Sequence, residues 1–202
     1  DAEAAEAPAR QRPVLTPVSS KPVRDDDIQE ARAMGEDEPA ATLPPAPEAP
    51  LRATIVFSGP AQGAARAAQA ELAARWGVGA ELWSATSYKR LREEALGVER
   101  WNRLHPTDAP RVPLATRLLA SSSGPIVAVT DFMRLVPDQI ARWVPAGRPW
   151  TSLGTDGFGR SDTREALRSF FETDAAHVVT AVLTGLVELG QVPAESVARA
   201  IQ

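Results

Sequence analysis

A glycine-rich loop toward the carboxyl terminus carries the residues with the clearest potential for chemistry. Three glycines fall within residues 154–159, and Arg160 and Arg164 follow them. Glycine lets a backbone turn tightly or approach another group closely, and arginines near the start of a helix suit an anion. The spacing matches neither a P-loop nor a dinucleotide-binding fingerprint. We therefore predict a structural or interface loop, and a small-anion site is the alternative. The candidate residues of this loop are Thr155, Asp156, Gly157, Phe158, Gly159, Arg160, Ser161, Asp162 and Arg164.

Three further features lie at the ends of predicted elements. Asp131 comes two positions after the predicted strand at 126–129, so it could be a functional carboxylate, although we favour a role as the cap of the next helix. Ser161 or Asp162 could cap the helix that starts near residue 163. The turn at residues 59–63 lies where α/β folds bind ligands, but Pro60 removes a donor, so a structural turn is favoured.

Histidine and cysteine usage argues against other kinds of site. The chain has no cysteine, which excludes a thiolate metal site and a cysteine nucleophile. Its two histidines, His105 and His177, are 72 residues apart and lack the spacing of paired metal ligands. The serine hydrolase signature Gly-x-Ser-x-Gly does not occur. We therefore assign no catalytic residue and no metal ligand.

Strands and helices alternate through the region that must position these residues. Short β-branched runs predict strands at residues 54–57, 78–84, 126–129 and 150–153. Helices are predicted at residues 61–76, 88–105, 113–120, 132–143, 163–171, 174–189 and 193–201. This alternation implies right-handed crossovers and a three-layer α/β/α fold with a mostly parallel sheet. The helix at 174–189 is apolar around much of its surface, so it should pack against a sheet or a subunit interface.

The first fifty residues differ in composition from the rest of the chain. They hold nine of the eighteen prolines, none of the eleven aromatic residues, and eleven acidic against five basic residues. Such a segment cannot bury enough apolar surface to fold, so residues 1–50 are predicted to be a disordered arm and 51–202 one domain. A docking segment for a partner is the alternative, and one short helix is possible at residues 28–34.

Charge and hydropathy narrow the class of protein further. The net charge is −4, so the basic excess that is typical of nucleic-acid binding is missing. The longest run without a charged residue has thirteen residues, whereas a membrane span needs about 20. No secretory signal is visible at the start. We expect a cytoplasmic protein without a membrane segment.

Several motifs together resemble one known family. Residues 81–96, 99–106, 129–134, 136–140 and 151–164 are similar, in order, to the C-terminal, transketolase-type domain of the homodimeric bacterial pyruvate dehydrogenase first component. The resemblance covers roughly residues 52–190. It implies an α/β domain that is the last of three in its parent enzyme.

The resemblance also implies a function for the parent enzyme. That enzyme decarboxylates pyruvate on thiamine diphosphate and magnesium, and it transfers the acetyl unit to a lipoyl group of the acyltransferase component. The implied partners are the remaining domains, a second subunit and the lipoyl acyltransferase. The family holds its cofactor with a Gly-Asp-Gly motif ending in Asn-Asn, and this chain contains neither motif. No catalytic or cofactor-binding residue is therefore carried over, and no cofactor is expected to bind this chain alone.

Three functional hypotheses follow from this sequence. The first is a pyruvate dehydrogenase domain that completes the dimer through an apolar interface, including the helix at 174–189, and shapes the active-site entrance. The second is a free-standing module that holds a small anionic or regulatory ligand at the glycine-rich loop. The third is a fragment that keeps the fold without an activity.

Overall fold

The structure is a computed structural model that describes residues 15–17 and 49–202. These residues form one five-stranded sheet in the order β1-β3-β2-β4-β5. Strands β2 to β5 run parallel, and β1 pairs with β3 in the antiparallel direction. The strands are β1 (Leu15–Pro17), β2 (Leu51–Phe57), β3 (Val78–Ala85), β4 (Ile126–Val129) and β5 (Trp150–Leu153).

The predicted mostly parallel sheet is confirmed, because all four predicted strands form and pair in parallel. β4 and β5 have the predicted bounds, whereas β2 begins three residues earlier, at Leu51. The extra residues of β2 pair with the first residues of β3, Leu51 with Val78 and Arg52 with Gly79. This long pairing holds β2 at the centre of the sheet.

The helices follow the predicted order with shorter bounds. In the described residues they are α1 (Gln62–Glu71), α2 (Tyr88–Leu104), α3 (Leu114–Leu119), α4 (Leu135–Asp138), α5 (Arg164–Phe170), α6 (Ala175–Glu188) and α7 (Glu195–Ala200). A π-helical turn, Leu72–Trp76, prolongs α1. Ser87 begins α2 as predicted, because its hydroxyl accepts a hydrogen bond from the amide of Arg90.

Alternate residues of each strand belong to two separate apolar clusters. In β4, Val127 and Val129 pack with α1 and α6, whereas Ile126 and Ala128 pack with α2 and α3. This period of two is what a sheet covered on both faces requires. The three-layer α/β/α fold is therefore confirmed, with one core on each face of the sheet.

The predicted helix at 132–143 is wrong. The chain forms only the short helix α4 and a 3₁₀ turn, Ala141–Trp143. Pro137 has no N–H to donate to the preceding turn, and the amides of Ile140 and Trp143 bond three residues back, to Pro137 and Ile140. The missing donor removes the helical bond from residue 137 back to Met133, and tight turns after α4 take the place of the rest of the predicted helix.

One part of the predicted disordered arm belongs to the sheet. β1 lies within residues 1–50, and its Thr16 pairs with Ser84 of β3. The rest of the arm up to residue 48, including the short helix predicted at 28–34, lies outside the described residues. The division into an arm at residues 1–50 and a domain at 51–202 therefore remains a prediction. β1 is the part of the arm that pairs with the sheet of the domain.

Helix α6 lies inside the domain. Its described neighbours include α1, β4, β5 and α7, and seven of its residues are buried. The stretch from Arg164 to Glu188 has a length and hydropathy that could cross a membrane, but a turn at 171–174 divides it into α5 and α6. The sheet-packing prediction for this helix is confirmed, and its predicted role as an apolar subunit interface is not supported, because its apolar face is already covered.

Candidate interface and ligand loop

The glycine-rich loop leaves the carboxyl end of β5 and runs beside the segment that follows β4. The Thr155 amide donates to the carbonyl oxygen of Phe132 at 2.9 Å, and the Thr155 hydroxyl donates to the carbonyl of Asp131 at 2.7 Å. Gly154 permits this approach, because a Cβ there would lie 2.5 Å from the Phe132 oxygen. The first glycine of the loop is therefore required by packing between two segments of backbone.

Asp156 links the same two segments by an ion pair. The Nε of Arg134 donates to one carboxylate oxygen at 2.7 Å, and the Arg134 amide donates to the other at 2.9 Å. The side-chain hydrogen bond from Arg134 lowers the pKa of Asp156, and the same bond raises the pKa of Arg134. Because the carboxylate form is the favoured one, this contact is present above the ordinary Asp pKa and is lost as the pH falls through the lowered value.

Asp131 does not cap a helix, so that prediction is wrong. Helix α4 begins four residues later, and its N-cap position is occupied by Arg134 without a side-chain hydrogen bond. The amide of Phe132 instead bonds to the hydroxyl of Thr130 at 3.2 Å, which turns the chain before a helix can start. The Asp131 carboxylate lies 3.8 Å from Arg168 of α5.

Arg168 connects three elements at the carboxyl edge of the sheet. Besides Asp131, it contacts the turn after β2, where it donates to the carbonyl of Pro60 at 3.0 Å. The hydroxyls of Ser58 and Thr130 meet beneath this turn at 2.7 Å and are buried. This is where the chain leaves β2 and β4 in opposite directions along the sheet, the place at which open α/β sheets form a crevice.

The second half of the loop is exposed and ends at α5. Thr163 is the helix cap, since its hydroxyl accepts from the amide of Ala166, whereas Asp162 bonds only to the amide of Thr163. The predicted cap at Ser161 or Asp162 is therefore wrong by one or two positions. Phe158, between Gly157 and Gly159, is 96% exposed.

One hollow gathers part of the predicted loop. It has a volume of about 330 Å³ and is lined by Asp131, Thr155, Asp162, Arg164 and Arg168, among others. Asp156 and Gly157 line a different hollow with Met133 and Arg134. The exposed Phe158, Gly159, Arg160 and Ser161 line none of the hollows described here, and Arg160 lies over the ring of Phe170 at 4.1 Å.

The hollow beside Asp131 has a mixed charge. Arg164 and Arg168 bring two cations to the hollow, but the nearby Asp131 offsets the charge of the second. Within residues 15–17 and 49–202, no three His, Asp or Glu side chains form a group that could hold a metal ion.

Sequence reasoning missed three residues that organise this edge. Arg134 and Arg168 supply its ion pairs, and Thr130 supplies its buried hydroxyl contact. A hydroxyl directly after each of two predicted strands, Ser58 and Thr130, was a readable signal of the crevice. The two arginines carried no such signal, because their partners lie 22 to 108 residues away along the chain.

Comparison with known proteins identifies the relatives of this chain. The pyruvate dehydrogenase E1 component of Pseudomonas aeruginosa is 47% identical over 126 residues, which are 62% of this chain and 14% of that protein. The same component of Mycolicibacterium smegmatis is 45% identical over 159 residues, 78% of this chain and 17% of that protein. The Escherichia coli K12 component is 45% identical over 130 residues, 64% and 14% of the two chains. This chain thus spans less than a fifth of the length of these relatives.

A family pattern also matches most of the chain. It is the pattern of the transketolase-like TK C-terminal domain, and it matches residues 44–174. A solved structure described as a split-gene transketolase, an inactive β4 tetramer, aligns with a TM-score of 0.44 at 23% identity, covering 67% of this chain and 38% of its own. Because the family pattern spans more than half of the chain and agrees with its parallel three-layer fold, this chain belongs to the transketolase-like TK C-terminal domain family.

Proposed function

We propose that this chain serves as the C-terminal domain of a pyruvate dehydrogenase first component. The supporting observation is an identity of 45 to 47% with relatives of that name, of which it spans only 14 to 17%. The complete enzyme would decarboxylate pyruvate and pass the acetyl unit to the lipoyl group of the acyltransferase component, in the cytoplasm. This domain would complete the dimer and shape the entrance to the active site.

The chemistry of that enzyme belongs to its other domains. The cofactor implied by the resemblance is thiamine diphosphate with magnesium, which would supply the electron sink for decarboxylation. The residues described here do not fit it, since they form no acidic or imidazole group for a divalent ion, and the sequence lacks Gly-Asp-Gly and Asn-Asn. We therefore route no catalytic step through this chain.

A second candidate function has one observation in its favour. The hollow of about 330 Å³ beside Asp131 is lined by Arg164 and Arg168, and Arg164 forms no ion pair with a described residue. A small carboxylate or phosphate could bind there in a free-standing module. Titration calorimetry with inorganic phosphate and with pyruvate would detect such binding, and the variant Arg164→Ala would then weaken it.

The first proposal is tested in a full-length chimera. The 159 aligned residues of the Mycolicibacterium smegmatis component are replaced by their counterparts from this chain, and pyruvate decarboxylation is followed by ferricyanide reduction. We expect kcat/KM to stay above about a tenth of the parent value, a loss of less than about 1.4 kcal/mol in transition-state stabilisation. A folded dimeric chimera without turnover would contradict the proposal.

The matched control is this chain alone with thiamine diphosphate and magnesium. We expect no decarboxylation, because the residues that could hold the cofactor are missing from its sequence. Turnover by the isolated chain would show that the assignment of the chemistry to other domains is wrong.

A further inference from the structure

Large apolar side chains are exposed together at the carboxyl edge of the sheet. Phe132, Met133, Leu135, Phe158 and Phe170 are between 52% and 96% exposed, and we call these five residues the carboxyl-edge patch. They are more than half of the nine large apolar residues exposed in the described part of the chain. A cluster of this kind marks an interaction site more often than singly exposed residues do.

Three members of the patch, Met133, Leu135 and Phe170, border recesses that the Arg134–Asp156 ion pair lines. Arg134 and Asp156 line a hollow of about 280 Å³ together with Phe170. On the other side, they line a hollow of about 530 Å³ together with Met133 and Leu135. Phe158 follows Asp156 by two residues in the same loop. Apolar side chains therefore border two open recesses with a polar bridge between them.

The backbone beneath the patch is held in place by the domain itself. Thr155 bonds to the carbonyls of Asp131 and Phe132, Gly154 packs against the same segment, and Asp156 holds the amide and side chain of Arg134. A preorganised surface loses less conformational entropy on binding. The backbone at residues 131–134 and 154–156 thus forms a defined surface next to Phe158, which fits a constant partner.

The relatives indicate what covers such a surface. The match lies in the family's C-terminal domain, and more than four fifths of each relative lies outside it. In those proteins, this region is joined to a polypeptide much larger than itself, which is therefore held close to any apolar face that the domain leaves open. Both apolar cores of the domain are closed by its own helices, and the carboxyl-edge patch holds five of the nine large apolar side chains that remain exposed in the described residues.

We propose that the carboxyl-edge patch is the face through which this domain docks against the preceding domains of its own enzyme, with Phe158 as an anchor in an apolar recess of the partner. Aromatic anchors surrounded by smaller contacts dominate the binding energy of many interfaces. This inference rests on the proposed function, since it takes the remaining domains of a pyruvate dehydrogenase first component as the partner. The docking face proposed here is the exposed carboxyl-edge patch, and not helix α6, because the apolar residues of α6 are buried within the domain.

Hydrogen exchange in the full-length chimera tests the docking face. Amides of residues 131–135 and 154–160 are compared between this chain alone, at low micromolar concentration, and the chimera. We expect at least about tenfold slower exchange in the chimera, because docking restricts local opening. Residues 104–112, which carry the exposed Leu104 and Val112, serve as the control segment and should exchange at equal rates in both proteins.

A pair of substitutions in the chimera separates docking from general stability. Phe158→Ser should abolish the slow exchange at residues 131–135, whereas Leu104→Ser, at a comparably apolar exposed position outside the patch, should leave it unchanged. Equal exchange at the patch in the chimera and in the isolated chain would overturn the proposal. So would the same slowing in the isolated chain when its concentration is raised, since a second copy would then be the occupant.

The two proposals can fail separately. A chimera that decarboxylates pyruvate without protecting the patch supports the proposed function and overturns the docking face. A chimera that protects the patch without turnover supports the docking face and contradicts the proposed function.

Discussion

At the scale of single residues, the Arg148 side chain makes more hydrogen bonds than that of any candidate residue of the glycine-rich loop. Its guanidinium donates five hydrogen bonds, to the carbonyls of Leu119, Ser123 and Gly124 and to the hydroxyls of Thr54 and Ser122, at 2.6 to 3.0 Å. Burial lowers the pKa of Arg148 to about 10, so it remains a cation at neutral pH. It thereby joins β2 to the segment between α3 and β4.

Removing these donors should destabilise the domain measurably. We expect Arg148→Ala to lower the free energy of unfolding by about 3 kcal/mol, because partly buried carbonyls lose charged donors. Arg148→Lys should recover part of this loss, since an ammonium has three donors rather than five. Urea unfolding followed by circular dichroism measures both. Arg75→Ala is the control: its exposed pair with Glu71 should contribute less than about 1 kcal/mol, and equal losses at both sites would refute this account of Arg148.

No local pattern in the sequence could have identified Arg148. Its partner Thr54 lies 94 residues away, and an arginine between Gly147 and Pro149 looks like any solvated loop residue. The glycine-rich loop has a clearer local signal in the sequence, because three closely spaced glycines indicate that the backbone approaches another group closely. The sequence could therefore point to the glycine-rich loop, whereas the arginines that organise it required the fold.

At the scale of elements, contact across the sheet decides which residue types are allowed. Helix α6 crosses the start of β4 and β5 so closely that a Cβ on Gly185 would lie 2.4 Å from the Cβ of Pro125 and 3.7 Å from that of Pro149. Glycine is a poor helix former, and its presence here reflects this close approach. Helix propensity therefore favours alanine at residue 185, whereas the close packing against Pro125 favours glycine.

Whether a glycine-to-alanine substitution raises or lowers the free energy of unfolding should therefore depend on the helix that contains it. Gly185→Ala should lower the free energy of unfolding by about 1 to 3 kcal/mol, because overpacking outweighs the better helix propensity. Gly97→Ala, in α2 where an added Cβ meets nothing within 4 Å, should raise it by up to about 1 kcal/mol. Thermal and chemical unfolding of both variants provides the comparison. Stabilisation by both substitutions would show that α6 can move away from the sheet.

Elements were predictable where the local signal was strong and unopposed. The β-branched run of β4 and the cap of α2 at Ser87 formed as expected. The region after β4 failed because Pro137 interrupts the hydrogen-bond ladder of an otherwise helical pattern. β1 was invisible for a different reason: its pairing with β3 joins residues almost seventy positions apart, and its proline-rich surroundings resemble a linker.

At the scale of the whole molecule, β1 covers one end of a strand that would otherwise border the sheet. Only the carboxyl end of β3, residues 83–85, pairs with it. An uncovered edge strand offers free backbone groups to another chain. The pairing of β1 with β3 therefore bears on association of the domain with other chains.

Deleting residues 1–48 should accordingly leave a folded domain that associates more readily. We expect the melting temperature to fall by less than about 4 °C, corresponding to roughly 1 kcal/mol for a domain of this size, and sedimentation velocity to show more self-association. Deleting only residues 1–12, which keeps β1, should change neither quantity. A loss of the cooperative transition in the longer deletion would mean that the arm is part of the fold.

The position of α6 has a consequence for how the domain is made. Its seven buried residues close the core over β2, β3 and β4, yet they are translated after every strand and lie beyond the matched family pattern, which ends at residue 174. Domains generally fold as units as they leave the ribosome. Until Glu188 has emerged, the growing chain therefore lacks the helix that covers this sheet face, so the core over β2, β3 and β4 can close only late in synthesis.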